Sequence, residues 1–174
     1  HVNGAYEAAP STVYTYDADA QTIIAIVNDE AYWFGTRNDK TYTTVGPVKQ
    51  SYEGFYCKLY EVAGGNTPDE PDQPSEPTVV TSPEVGKAYK FGMIQGNVSD
   101  TDVYYLIGGM NGFYMSTGSD VNAAIDVYLE ATTGGYYFYT QDASGAKQYI
   151  NMVVSGTHVN GAYEAAPSTV YTYD

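Results

Sequence analysis

Short runs in which apolar and polar residues alternate fill most of the chain, and turn residues break them apart. KFGMIQ, DVYYLIGG, GFYMST, AIDVYLEA, GYYFYTQ, KQYINMVV, NGAYEAA, TVYTYDA, TIIAIVN, AYWFGTR, YTTVGPV and FYCKLYEV are rich in Tyr, Val, Ile and Thr and separated by Gly, Asn, Asp or Ser. Side chains on a strand point to opposite faces in turn, so a period of two in such residues reads as strands with one buried face. No segment keeps apolar residues at helical spacing over three turns; residues 119–130 come nearest and predict a single helical turn at their start. The pattern predicts an all-β protein of twelve short strands.

A second pattern lies on top of the first. Residues 1–17, HVNGAYEAAPSTVYTYD, return letter for letter as residues 158–174, a period of 157 residues. Identity over that length marks a recent duplication, so the chain reads as about one repeat of a tandem array. Between the two copies, residues 64–87 hold five of the eight prolines together with Asp69, Glu70, Asp72, Glu76 and Glu84. Pro68, Pro71, Pro74 and Pro77 recur every third residue, the spacing of a polyproline II turn, and like charges extend such a segment further. The segment is read as a semi-rigid spacer, of the kind that joins modules in bacterial surface and secreted proteins. Residues 1–63 are then the second half of one domain and 88–174 the first half of the next, or the two together form one permuted domain.

Taken in domain order, the strands fall into three groups of four, over residues 88–132, then 133–157 with 1–20, then 21–63. Their second strands align as YYLIG, QYINM and YWFGT, and their fourth as IDVYLEA, VYTYDA and YCKLYEV. Three similar four-strand lobes resemble a β-trefoil, the fold of ricin-type lectin domains and of protease-inhibitor and cytokine relatives. The Gln-x-Trp signature of the lectin branch is absent from all three lobes. A β-sandwich or jelly roll is the alternative for so many strands, and the near-equal lobe lengths favour the trefoil.

Composition narrows the function. With 21 acidic against 7 basic residues the formal net charge is -14, which repels phosphate backbones and anionic lipid heads, so nucleic acid and membrane insertion are not expected as partners. The 20 tyrosines suit half-wet strand positions where a ring packs and its hydroxyl meets water. Cys57 stands alone in the apolar run FYCKLYEV and is expected to be a buried thiol. His1 and His158 are one position in two copies, which leaves no paired base for Ser-His or Cys-His chemistry and no converging ligand set for zinc. Asp100 and Asp102 in NVSDTD lack the Gly and the closing Glu of a calcium loop and read as a hairpin turn; Asn97-Val98-Ser99 is a glycosylation sequon. No cofactor, metal or catalytic residue is expected.

Two functional readings remain. The first is a non-catalytic, secreted or cell-surface array of trefoil modules whose partners are copies of itself. It forms a fibre, stalk or adhesive scaffold in which strands are exchanged between units through Val13, Tyr14 and Tyr16 and their duplicates Val170, Tyr171 and Tyr173. The second is a carbohydrate-binding module that gains from avidity, with Trp33 as aromatic platform and Asn38 and Asp39 as hydrogen-bonding partners for glycans. Against this second reading, Trp33 sits between Tyr32 and Phe34, where alternation can equally point it into the core.

Overall fold

The computed structural model describes residues 23–36, 42–47, 56–62, 76–94 and 102–173, and each of the twelve sequence runs carries a strand in it. In chain order the strands are β1 Ile23–Val27, β2 Glu30–Thr36, β3 Thr43–Pro47, β4 Tyr56–Glu61, β5 Thr78–Val79, β6 Lys90–Ile94, β7 Val103–Asn111, β8 Tyr114–Gly118, β9 Tyr128–Thr132, β10 Gly135–Gln141, β11 Lys147–Ser155, β12 His158–Glu164 and β13 Tyr171–Tyr173. The one helical turn among the described residues is a 3-10 turn at Val121–Ala123, where Asp120 caps the Asn122 N–H, inside the stretch for which the pattern predicts a turn. The protein is all-β.

The strands form two sheets, one of eight strands running β12-β11-β10-β13-β1-β2-β3 with β9 beside β10, and one of five running β5-β4-β6-β7-β8. Every pairing is antiparallel, and the same set of pairings occurs three times. First strands pair second strands at β6–β7, β10–β11 and β1–β2, and second pair third at β7–β8, β11–β12 and β2–β3. Fourth strands then pair the first strand of the following group at β9–β10, β13–β1 and β4–β6. A bridge between Tyr89 and Val127 links the β6 and β9 ends of the two sheets, and the Cys57 thiol on β4 donates to the Ile23 carbonyl on β1 over 3.1 Å. The result is a nearly closed, barrel-like sheet.

Local chemistry sets the tight connections. Between β1 and β2 the two-residue turn Asn28-Asp29 has both φ angles positive, 51° and 63°, the backbone that matches the twist of a hairpin and that Asn and Asp tolerate. Inside, Phe34, Phe91, Phe138 and Tyr171 touch as a chain of rings from four different strands. Phe138 stacks on Tyr171 at 4.8 Å, and Phe91 meets both Phe34 and Phe138 edge to face. Ile23, Leu59, Met93, Leu106, Met115, Leu129 and Ile150 fill the space around them.

The spacer segment behaves in two ways. Most of its proline and acid positions lie outside the described residues, but β5 pairs Thr78 with Glu61 and Val79 with Tyr60, and the Val80 N–H donates to the Leu59 carbonyl over 2.9 Å. Val80 itself is buried in the core. The end of the spacer is therefore docked on the sheet, because a Thr-Val-Val run supplies the apolar and β-branched side chains that the preceding proline and acid residues lack.

Candidate functional site

The duplicated segment occupies a defined slot. Residues 158–164 form β12, which pairs with β11 through seven register positions from Ser155 with His158 to Tyr149 with Glu164. Residues 171–173 form β13, inserted between β10 and β1, with Tyr136 opposite Tyr171 on one side and Ile23 opposite Tyr173 on the other. Backbone ladders and a two-residue turn set this path, and three side chains and two glycines hold it.

Tyr171 is the anchor. It is fully buried, its ring lies between Phe138 and Phe34, and its hydroxyl donates to the Ile150 carbonyl over 2.9 Å. Burial pushes the Tyr171 hydroxyl well above the ordinary tyrosine range, so it stays a neutral donor. Gly135 on β10 allows the approach: a Cβ there would run into the Tyr171 carbonyl oxygen.

Thr169 and Asn151 lock the bend between β12 and β13. The Thr169 hydroxyl accepts from the Met152 N–H at 2.7 Å and donates to the Met152 carbonyl at 3.3 Å. Asn151, buried in the middle of β11, donates to the Ala166 carbonyl and to the Glu164 carboxylate and accepts from the Ser168 N–H. A buried amide pays for its desolvation only when its donors and acceptors are met, and here the partners belong to the duplicated segment. Gly161 on β12 completes the fit, since a Cβ there would stand 2.5 Å from Phe34 and 2.6 Å from Met115.

The outward face of β9, β10 and β11 carries a row of tyrosines. Tyr128 stacks on Tyr139 at 5.4 Å, Tyr139 and Tyr137 both meet Tyr149, and the Lys147 ammonium lies 4.3 Å from the Tyr139 ring centre. Glu130 accepts from Lys147 and from the Tyr149 hydroxyl, and the Lys147 ammonium holds its carboxyl below the usual range. One face of Tyr139 meets Tyr128 and Lys147 lies over the ring, so the row is satisfied within the sheet.

The sequence-derived candidates divide between the core, the slot and the undescribed stretches. Trp33 is 6% exposed and belongs to the core cluster, so its ring offers no open face on which a pyranose could stack. Asn38 and Asp39 lie outside the described residues, as do Val13, Tyr14 and Tyr16. Val170 is half-buried, Tyr171 is the anchor just described, and the backbone of Tyr173 pairs with Ile23. The duplicate pair Val170 and Tyr171 is thus built into the fold. Cys57 is buried, and desolvation pushes its thiol up to about 12. His158 is exposed at the start of β12.

Asn151, Gly135 and Gly161 were not singled out by sequence reasoning. Asn151 had a signal: it is the one amide within the apolar run YINMVV, where an unpaired polar side chain would be costly. Among the described residues no group of three or more His, Cys, Asp or Glu side chains is placed to hold a metal ion, and no helix is long and apolar enough to cross a membrane. Compared with family models, with curated proteins and with solved structures, the chain matches none.

Proposed function

We propose that this chain is a non-catalytic module of an extracellular tandem-repeat protein, a unit of a surface fibre, stalk or adhesive scaffold, and that neighbouring units join by exchanging the duplicated segment. The observation that carries the reading is that the described copy of the duplicated segment lies within the fold, with β12 paired to β11 and β13 held between β10 and β1. A segment seated by backbone ladders and a buried anchor is one that a neighbouring unit can supply in trans, by the edge-pairing physics of strand addition. The acidic charge and the proline and acid-rich spacer fit a concentrated array kept soluble outside the cell.

We further assign the frame as a β-trefoil. The threefold recurrence of pairings supports it: six strands, β4, β6, β9, β10, β13 and β1, follow one another around the barrel, and the three hairpins β2–β3, β7–β8 and β11–β12 approach one another through β3, β8 and β12.

Sedimentation velocity across a concentration series, with negative-stain electron microscopy of the concentrated sample, tests the assembly reading. Head-to-tail oligomers and fibres that grow with concentration are expected. A chain that stays monomeric throughout, with no fibres, would overturn it.

A further inference from the structure

We infer that the tyrosine row on the outward face of β9, β10 and β11 is an oxidative cross-linking site, at which Tyr128 and Tyr139 are joined as a dityrosine by hydrogen peroxide acting through a haem peroxidase. The inference does not depend on strand exchange between units.

The sheet register builds the row. In the β9–β10 ladder Tyr128 stands opposite Tyr139, and in the β10–β11 ladder Tyr139 stands opposite Tyr149. Directly opposed side chains on one face of an antiparallel sheet are held in contact. The Tyr128 and Tyr139 rings lie nearly parallel, with centres 5.4 Å apart and planes 22° from each other, and Tyr149 meets Tyr139 at 5.8 Å. Both side chains of the stacked pair leave the same face of the sheet, so their hydroxyl ends share a direction and the ring carbons beside the hydroxyls are brought together. Tyr128 and Tyr139 are half-buried and open to an oxidant.

A phenol gives up an electron most readily when its proton leaves with it. The Tyr149 hydroxyl donates to the Glu130 carboxylate over 3.2 Å, and the Lys147 ammonium keeps that carboxylate ionised at neutral pH, so a proton acceptor is already in place. Lys147 also lies 4.3 Å from the Tyr139 ring centre and 5.9 Å from that of Tyr149, which disfavours positive charge on either ring and makes the neutral radical the stable product of oxidation. One oxidising equivalent takes an electron from Tyr149 while its proton passes to Glu130. The radical then recovers an electron from Tyr139 and the proton from Glu130, and the Tyr139 proton goes to water. A second equivalent takes an electron from Tyr128, whose proton also goes to water. The two radicals join by a carbon–carbon bond between the ring carbons beside their hydroxyls. Each of those carbons gives up its hydrogen as a proton, and each phenol oxygen regains one. In sum two tyrosines lose two electrons and two protons, and one hydrogen peroxide takes them up to become two waters.

The bond falls where it constrains most. Tyr128 and Tyr139 lie at the end of the β9–β10 hairpin away from its turn, Thr133-Gly134, so the link closes the hairpin into a ring. Next to Tyr128, Val127 makes the bridge to Tyr89 that links the two sheets.

The full chain, dilute and at neutral pH, is treated with a haem peroxidase and limiting hydrogen peroxide. Dityrosine fluorescence is expected together with the mass of one chain less two hydrogen atoms, and cleavage after Glu130 should leave the Tyr128 and Tyr139 peptides joined. Tyr139→Phe, which keeps the ring and removes the phenol, should lose most of the fluorescence. Tyr114→Phe, in the other stacked pair, Tyr42 with Tyr114 at 4.8 Å, should keep it. Tyr149→Phe and Glu130→Gln should each slow its appearance severalfold, with urea midpoints of the untreated proteins near that of the parent. The inference is overturned if the joined peptides carry other tyrosines or come from two chains, if Tyr139→Phe fluoresces like the parent, or if either Tyr149→Phe or Glu130→Gln keeps the parent rate. The peptide map of the parent chain decides the linked pair without any variant.

Discussion

Strand β10 carries the same kind of residue on two faces, and the two faces behave differently. Inward, Phe138 stacks on Tyr171 and meets Phe91 edge to face, and all three side chains are fully buried. Outward, Tyr137 and Tyr139 lie among Tyr128, Tyr149, Lys147 and Glu130, half in solvent. The inner rings come from strands distant in sequence and fasten the duplicated segment to the barrel. The outer rings come from adjacent strands and fasten only a hairpin that its own ladders already hold. Aromatic content alone, high on both faces, says nothing about which rings decide the fold; the separation in sequence of the strands they join does.

The largest effect should come from the inner face. Phe138→Ala is expected to destabilise the protein by about 3–5 kcal/mol, the usual range for a buried ring, in urea unfolding. A loss no greater than that at an outward tyrosine would break the contrast. Next comes alkaline pH. An unfolded cysteine ionises around its ordinary 9.0, while the buried Cys57 thiol keeps its proton to about 12, so folding stability is intact below pH 9 and falls as the pH rises towards 12. Between pH 9 and 10 the slope should approach about 1.4 kcal/mol per pH unit and be lost in Cys57→Ala, whereas above pH 10 the buried Tyr171 hydroxyl adds its own loss in both proteins, as measured by urea midpoints at each pH.

Smaller effects belong to the outer face. Tyr139→Ala removes a ring stack and a cation-π contact and should cost about 1 kcal/mol, with Cys57 still protected from alkylation. Glu130→Gln should change stability by less than about 0.5 kcal/mol near neutrality, and less still in high salt, because the pair with Lys147 is exposed. The Lys147 hydrogen bond lowers the Glu130 value from its ordinary 4.5, so the contribution of the pair is present above that pH and disappears below it; the variant should lack that acid limb.

Much of this contrast was legible in the chain, and the illegible parts have definite causes. Strand positions could be read because alternation survives wherever one face is wet, as in GYYFYTQ, which became β10. β5 could not, because Thr78 and Val79 sit in a proline and acid-rich stretch and gain their strand character only from pairing with β4. Trp33 shows the limit of parity arguments. Trp33 and Phe34 are neighbours that point to opposite faces of β2 and both are buried, so β2 is covered on both faces. A strand covered on both sides loses its alternation, and no local pattern announces it. The slot itself was half visible: the duplicated sequence declared that something was repeated, but only the register of β13 on β1 and of β12 on β11 shows where it fits.

The docking of residues 78–80 on β4 has a mechanical side. A pull entering through the proline-rich stretch meets first a strand held by two register pairs and one further backbone bond, with two small apolar side chains, Val79 and Val80, packed against the core. Loss of that attachment frees residues 78–83 as far as the bonds made by Glu84, Gly86 and Tyr89, which gives roughly 20 Å of slack. In a fibre of such units this short docked strand would give first and spare the ring-stacked centre.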